Sequence, residues 1–223
     1  DGKTVWKRKR EIDFGTDNGD HKKSYGTGSV VNVDGEALFI CPAAVATVAY
    51  RVKTGQPVWT VYHGGMNASA RPLTTPEGNV LVTNGMGMMV AIDPTGEGDV
   101  TQSNVKWKLT KSVSKKPSPL VIGDRFYMIS DKGVASCFRT STGEVVWQER
   151  VGGAFSSSPV FDGESIFACS EQGDVISFSA ADEYRSLGKT KIGDGFKATP
   201  AIAGERMILR SFSKLYSIKG KTN

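Results

Sequence analysis

The sequence predicts an all-β fold of repeated four-stranded sheets, and three observations carry that expectation. A phrase ending in tryptophan recurs as Asp1-Gly2-Lys3-Thr4-Val5-Trp6, Thr54-Gly55-Gln56-Pro57-Val58-Trp59 and Thr142-Gly143-Glu144-Val145-Val146-Trp147. A second phrase, an apolar strand, a glycine turn and another apolar strand, recurs five times. Its turn glycines, Gly35, Gly78, Gly123, Gly163 and Gly204, are spaced by 43, 45, 40 and 41 residues. No window keeps a helical period; the nearest candidate, Asp182-Glu183-Tyr184-Arg185, reads as a wide turn. Four short antiparallel strands repeated at this spacing describe the blades of a β-propeller.

Taken in order, the strands of the third repeat read PLVI, RFYMIS, VASCFR and EVVWQER, joined by Gly-Asp, Asp-Lys-Gly and Thr-Ser-Thr-Gly. Alternation and β-branched content argue strands, and the Gly and Asp pairs supply the positive-φ positions of tight hairpins. Pro72, Pro119, Pro159 and Pro200 open four of the five copies, where a missing N–H costs the ladder nothing. Blades are expected over residues 24–62, 63–110, 111–152, 153–193 and 194–220, within one domain of residues 1–223. The last repeat stops after its third strand, and the chain begins with an orphan fourth strand, residues 3–9. Either that strand completes the last blade and closes five blades, or the chain is the C-terminal part of a seven- or eight-bladed propeller; the second reading is favoured. The fourth strand is a blade's outer edge, so its tryptophan is expected to cover the gap to the next blade. Gly2, Trp6, Gly55, Trp59, Trp107, Gly143 and Trp147 are therefore structural. Trp107 follows an extra loop, Glu97 to Ser103, and Leu187 takes the tryptophan's place in the fourth repeat.

With 223 residues, 39% of them hydrophobic, and 26 glycines, the chain can bury a sizeable core and make many turns. Its net charge of +5 is mild and spread out. The runs Lys7-Arg8-Lys9-Arg10, Lys22-Lys23 and Lys115-Lys116 read as solvated strand ends and loops rather than a nucleic-acid surface. Cys41, Cys137 and Cys169 form no disulfide framework, and the latter two sit in apolar strands. No apolar run is long enough to span a membrane as a helix, and no signal peptide is present.

Catalytic constellations are sparse. His21 and His63 lie in no metal or triad spacing, and His63 reads as a loop residue. Asp17-Asn18-Gly19-Asp20-His21 offers oxygen donors but equally an exposed loop. Gly85-Met86-Gly87-Met88-Met89 lacks the strand–helix context of a phosphate loop. No metal site is expected. In a propeller, the connections between blades share a face with the hairpins between second and third strands, where ligands commonly bind. The connections bring Tyr25, Asn67, Arg71, Lys115, Lys116, Phe155, Phe196 and Lys197 to that face. The hairpins add Asn84, Met86, Asp131, Lys132, Glu171, Gln172 and Arg210.

The proline-opened strand, glycine turn and TGxxxW phrase together resemble the pyrroloquinoline-quinone-type (PQQ-like) propeller repeat, over nearly the whole chain. The stretch WKLTKSVSKKPSPLVIGDRFYMISDKGVASCFRTSTGEVVWQERVGG is most similar to exported bacterial PQQ-binding-like repeat proteins of unassigned role. A more distant resemblance is to the propeller lipoprotein of the outer-membrane β-barrel assembly machinery. The resemblance implies a periplasmic or extracellular address, and it does not by itself imply a bound quinone. Quinone-dependent alcohol dehydrogenases hold Ca²⁺ beside PQQ and close a disulfide ring of adjacent cysteines; adjacent cysteines are absent here. The expectation is a non-catalytic binding or assembly scaffold without a cofactor, for a protein or carbohydrate partner, with homo-oligomerisation through open blade edges as a further expectation. A PQQ- and Ca²⁺-dependent oxidoreductase fragment and a polysaccharide-binding module are the alternatives.

Overall fold

The computed structural model describes residues 2–220. The chain divides into two compact units, Asp1–Lys115 and Lys116–Asn223. Among the described residues the one helical element is a four-residue 3₁₀ turn, Gly19–Lys22.

In the first unit, β1 (Ser29–Val33), β2 (Glu36–Pro42), β3 (Ala46–Arg51) and β4 (Pro57–Tyr62) form the first blade in sequence order. The second blade is β5 (Leu73–Thr74), β6 (Val80–Thr83), β7 (Met89–Ile92) and β9 (Val105–Leu109). The loop between its last two strands contributes β8 (Gly98–Asp99), which pairs in parallel with β4 of the first blade. The expected extra loop is thus a clasp on its neighbour's outer edge. Val31, Leu38, Ile40 and Trp59 of the first blade pack with Val80, Val82, Val90 and Ile92 of the second in one core, and Val100, just past β8, joins them.

In the second unit, the third blade comprises β10 (Leu120–Ile122), β11 (Arg125–Ile129), β12 (Val134–Arg139) and β13 (Val145–Arg150). The fourth comprises β14 (Val160–Phe161), β15 (Ser165–Cys169), β16 (Asp174–Ser179) and β17 (Ser186–Lys191). A last sheet holds three strands, β18 (Ala201–Ala203), β19 (Arg206–Arg210) and β20 (Leu215–Lys219). The four prolines immediately precede β5, β10, β14 and β18, and the five turn glycines all take positive φ, between 58° and 107°. Hydroxyls link the innermost strands: Ser118 N donates to Ser158 Oγ (2.9 Å), and Ser158 N donates to Thr199 Oγ1 (3.1 Å).

Each complete blade carries a bulge between its third and fourth strands, where one extra residue twists the outer strand. Trp59, Trp107 and Trp147 stand just after the bulge, opposite Ala49, Ala91 and Cys137. Trp59 is 1% exposed and donates from Nε1 to the Pro94 carbonyl of the next blade (2.7 Å). Trp147 donates to Ala181 of the next blade (2.9 Å) and meets Tyr184 edge-on at 5.2 Å. Both hydrogen bonds run from a blade's outer strand to the following blade.

Two expectations need correction. Residues 3–9 form no strand, so they do not complete the last sheet. Trp6 is instead held in the first unit, stacked on Tyr50 and donating to the Val52 carbonyl at 2.7 Å, just past β3. It lies over Gly55, where a Cβ would come within 2.6 Å of the ring, so only glycine admits the contact. Second, the residue equivalent to Trp147 in the fourth blade is not Leu187. Ser177 of β16 pairs with Gly188, and Leu187 is the bulged residue. The linear phrase sets the equivalence one residue too early because that repeat lacks the TGxxxW spacing.

Candidate binding face

In the second unit, backbone bonds knit the inter-blade connections to the hairpins. Phe155 N donates to Asp131 O (3.1 Å), Glu171 N to Ala154 O (2.8 Å), and Phe212 N to Gly195 O (3.0 Å). Gln172 uses its side-chain oxygen to accept from Ala154 N at 2.8 Å. Glu171 accepts from Ser156 Oγ, and Lys116 donates to the same hydroxyl at 3.3 Å. Glu171, Gln172 and Lys116 are therefore engaged in holding the loops together. Lys132 is exposed, and its carbonyl accepts from Arg150.

Phe155 and Phe196, expected at the ligand face, are each 1% exposed. Phe155 packs with Ile129, Ala168 and Ile176, and Phe196 with Cys169, Val175 and Leu209. A loop position selected them, but their transfer energy sends them inward. The exposed aromatic there is Phe212, 58% accessible, which the sequence reading missed. Its ring lies on Gly195, and the Lys197 ammonium sits 5.9 Å from its centroid. Arg210 and Lys214 complete an open cavity of about 520 Å³ with Lys197 and Phe212. No salt bridge engages these three cations among the described residues. Nearby Asp194 accepts hydrogen bonds from Ser211 and Ser213, which hold its carboxyl down at about 2 and anchor the hairpin.

In the first unit, Tyr25 is 64% exposed, and its backbone N–H donates to Ala68 O at 2.7 Å. Asn67 adopts φ +54° in the connection nested against the Asn84 hairpin. Asn84 is buried and works as a turn anchor, its Oδ1 accepting from Met86 N (2.9 Å) and Met88 N (3.0 Å). Met86 is exposed. The Lys115 carbonyl accepts from Ser69 Oγ at 2.8 Å, and Arg71 is exposed.

His63 lies in the connection after β4, as expected of a loop residue, but its side chain turns inward. It is buried, with Nε2 2.9 Å from Thr47 Oγ1 and Nδ1 2.8 Å from the Gly64 carbonyl. Nδ1–H donates to the carbonyl and Nε2 accepts from the threonine, a neutral tautomer that burial favours by lowering the pKa. Asp17 and Asp20 pair with Lys22 (3.4 Å) and Lys23 (2.6 Å) instead of converging on a cation.

Among the described residues no three His, Cys, Asp or Glu side chains converge. Cys137 and Cys169 are buried in strands, with thiols pushed up to about 11 and about 12 chiefly by desolvation. Asp124 and Asp182 are held by Arg125 and Arg139 across the third and fourth blades. No helix among the described residues is long and apolar enough to cross a membrane.

Bulged outer strands, indoles bonded into the following blade, and five sheets in sequence order define a β-propeller of four-stranded antiparallel blades. A family model described as "Outer membrane protein assembly factor BamB" matches residues 1–222, and the chain belongs to this family of PQQ-type repeats. None of the curated proteins matches the chain. Among solved structures it is similar to BamB from Moraxella catarrhalis, with a TM-score of 0.66 and 17% identity over 86% of this chain and 57% of that one. It is likewise similar to Sqt1 of Saccharomyces cerevisiae, with a TM-score of 0.67 and 15% identity over 87% of this chain and 59% of that one. The chain therefore spans under two thirds of the length of either protein, and at such identity the likeness is one of fold.

Proposed function

We propose that this chain is a non-catalytic binding scaffold that takes a protein partner through its loop face, outside the cytoplasm. The observation that carries the reading is the exposed Phe212 ring flanked by Lys197, Arg210 and Lys214, three cations without ion pairs among the described residues. An apolar ring beside free positive charge suits an acidic segment bearing an aromatic or aliphatic side chain, since the ring supplies desolvated area and the charges supply steering. The extracytoplasmic address rests on family membership. Within that reading binding needs neither PQQ nor Ca²⁺.

The test is fluorescence anisotropy with a labelled acidic peptide, Ac-Asp-Glu-Phe-Asp-Glu-NH2. Binding should weaken with salt and fall at least about tenfold in Lys197→Glu/Arg210→Glu, about 1.4 kcal/mol or more. Affinity unchanged by both substitutions would refute the reading.

A further inference from the structure

The gap between the fourth and fifth blades is built like the others and lacks its plug. Elsewhere a tryptophan crosses to a carbonyl just past the third strand of a blade: Val52 for Trp6, Pro94 for Trp59 and Ala181 for Trp147. By register the fourth blade has Gly188 at this position, opposite Ser177. A Cβ built there meets only Ser177 Oγ, at 3.5 Å, so the place of the side chain is open. Beyond it lies a cavity of about 670 Å³, walled by Phe167, Ile192, Ile202, Met207 and Ile218, with Gly220 just past β20 at its far side. The volume lies within the ~300–1,000 Å³ of ligand pockets.

Among the described residues the outer strand bordering this cavity, β17, pairs with β16 alone, and all six of its residues are exposed. The first blade shows how such an edge is covered. There β8 pairs with β4 and the next residue, Val100, enters the core beside Trp59. Of the cations around β17, Lys189 pairs with Asp174 of β16 at 3.3 Å and Lys191 donates to the Gln172 carbonyl, while Arg185 has no ion pair among the described residues. A carboxylate at that end would complement Arg185, much as Glu97 of the β8 loop meets Arg51 at 3.1 Å.

We infer that this gap is a vacant indole socket, which accepts an aromatic side chain, tryptophan above all, from an extended segment of a partner protein that runs along β17 and carries a carboxylate for Arg185. Main-chain bonds to the edge supply affinity and the socket supplies selectivity. The site deepens the scaffold reading but uses none of the residues around Phe212.

The probe is Ac-Glu-Gly-Asp-Trp-Thr-NH2, the β8 loop sequence with tryptophan in place of Val100, titrated by calorimetry. Wild type should bind it at least about tenfold more tightly than the peptide with alanine at the tryptophan. Gly188→Trp fills the socket from within; it should raise the melting temperature and lower peptide affinity at least about tenfold. Ile202→Arg, an exposed position on the wall, should weaken binding without touching the β17 backbone and serves if Gly188→Trp does not fold. Lys197→Glu/Arg210→Glu should leave this binding intact, which separates the socket from the loop face. Equal affinity for both peptides, or binding that survives both socket variants, overturns the inference. Dimerisation that Gly188→Trp abolishes, without peptide binding, would assign the socket to a second copy and also overturn it.

Discussion

Two neighbouring gaps in the second unit differ most plainly at one position of the outer strand. Between the third and fourth blades, Trp147 sits among Tyr127, Phe178 and Tyr184 and bonds to Ala181. Between the fourth and fifth, Gly188 leaves the same geometric position bare above Ile202, Met207 and Ile218. The strands, bulge and register are shared, so the backbone does not need the indole to form a blade. The tryptophan's contribution is cohesion between blades, and where it is missing a surface becomes available.

The largest expected effect comes from making the filled gap resemble the empty one. Trp147→Ala should cost about 3 kcal/mol, the lower end for a tryptophan truncation because the indole is only partly buried, read as a shift in denaturant midpoint. A loss below ~0.5 kcal/mol would mean that the gaps are equivalent.

A backbone change sharpens the contrast by striking a part both gaps share. Gly173 takes φ +90° in the hairpin of the fourth blade, and a Cβ added there would lie only 2.0 Å from Gly193 O. Gly173→Ala should therefore destabilise by about 1–3 kcal/mol. Thermal melting would check it, and a neutral result would show that the connection relaxes freely.

The first unit supplies a pH contrast. His63 is buried neutral and its pKa is lowered, so the unfolded chain binds its proton more readily than the folded one. Its contribution is full above the ordinary value of 6.5 and is lost as pH falls below it toward the lowered folded value. The midpoint in urea should therefore drop between pH 7.5 and 5.5, and His63→Gln should flatten that drop. The smallest effect is expected at the bare gap itself: Gly188→Ala should change stability by no more than ~1 kcal/mol, on the stabilising side, by narrowing the unfolded ensemble.

Much of the fold was legible because turn glycines and strand-opening prolines are fixed by local stereochemistry, and local rules can be read from a line of sequence. Gly35, Gly78, Gly123, Gly163 and Gly204 all stand in left-handed turns, and strands follow Pro72, Pro119, Pro159 and Pro200 directly. What escaped depends on register and long-range pairing. β8 is too short to show alternation, and it pairs with a distant strand, Gly98 standing opposite Trp59 of β4. Leu187 reads as the tryptophan's successor because a one-residue bulge is invisible without the opposing strand. At the loop face, sequence position selected Lys197 and Arg210, which line one cavity, but could not tell the inward Phe155 and Phe196 from the outward Phe212. Which way a loop aromatic turns is decided by the room beneath it, here the space that Gly195 leaves for Phe212.

The measurement that bears most directly on the scaffold reading is chemical-shift mapping of the isotope-labelled chain with Ac-Asp-Glu-Phe-Asp-Glu-NH2. Saturable shifts confined to residues 194–199 and 210–214, abolished by Lys197→Glu/Arg210→Glu, are the predicted result. Shifts centred elsewhere, or shifts that persist in the double variant, would contradict it.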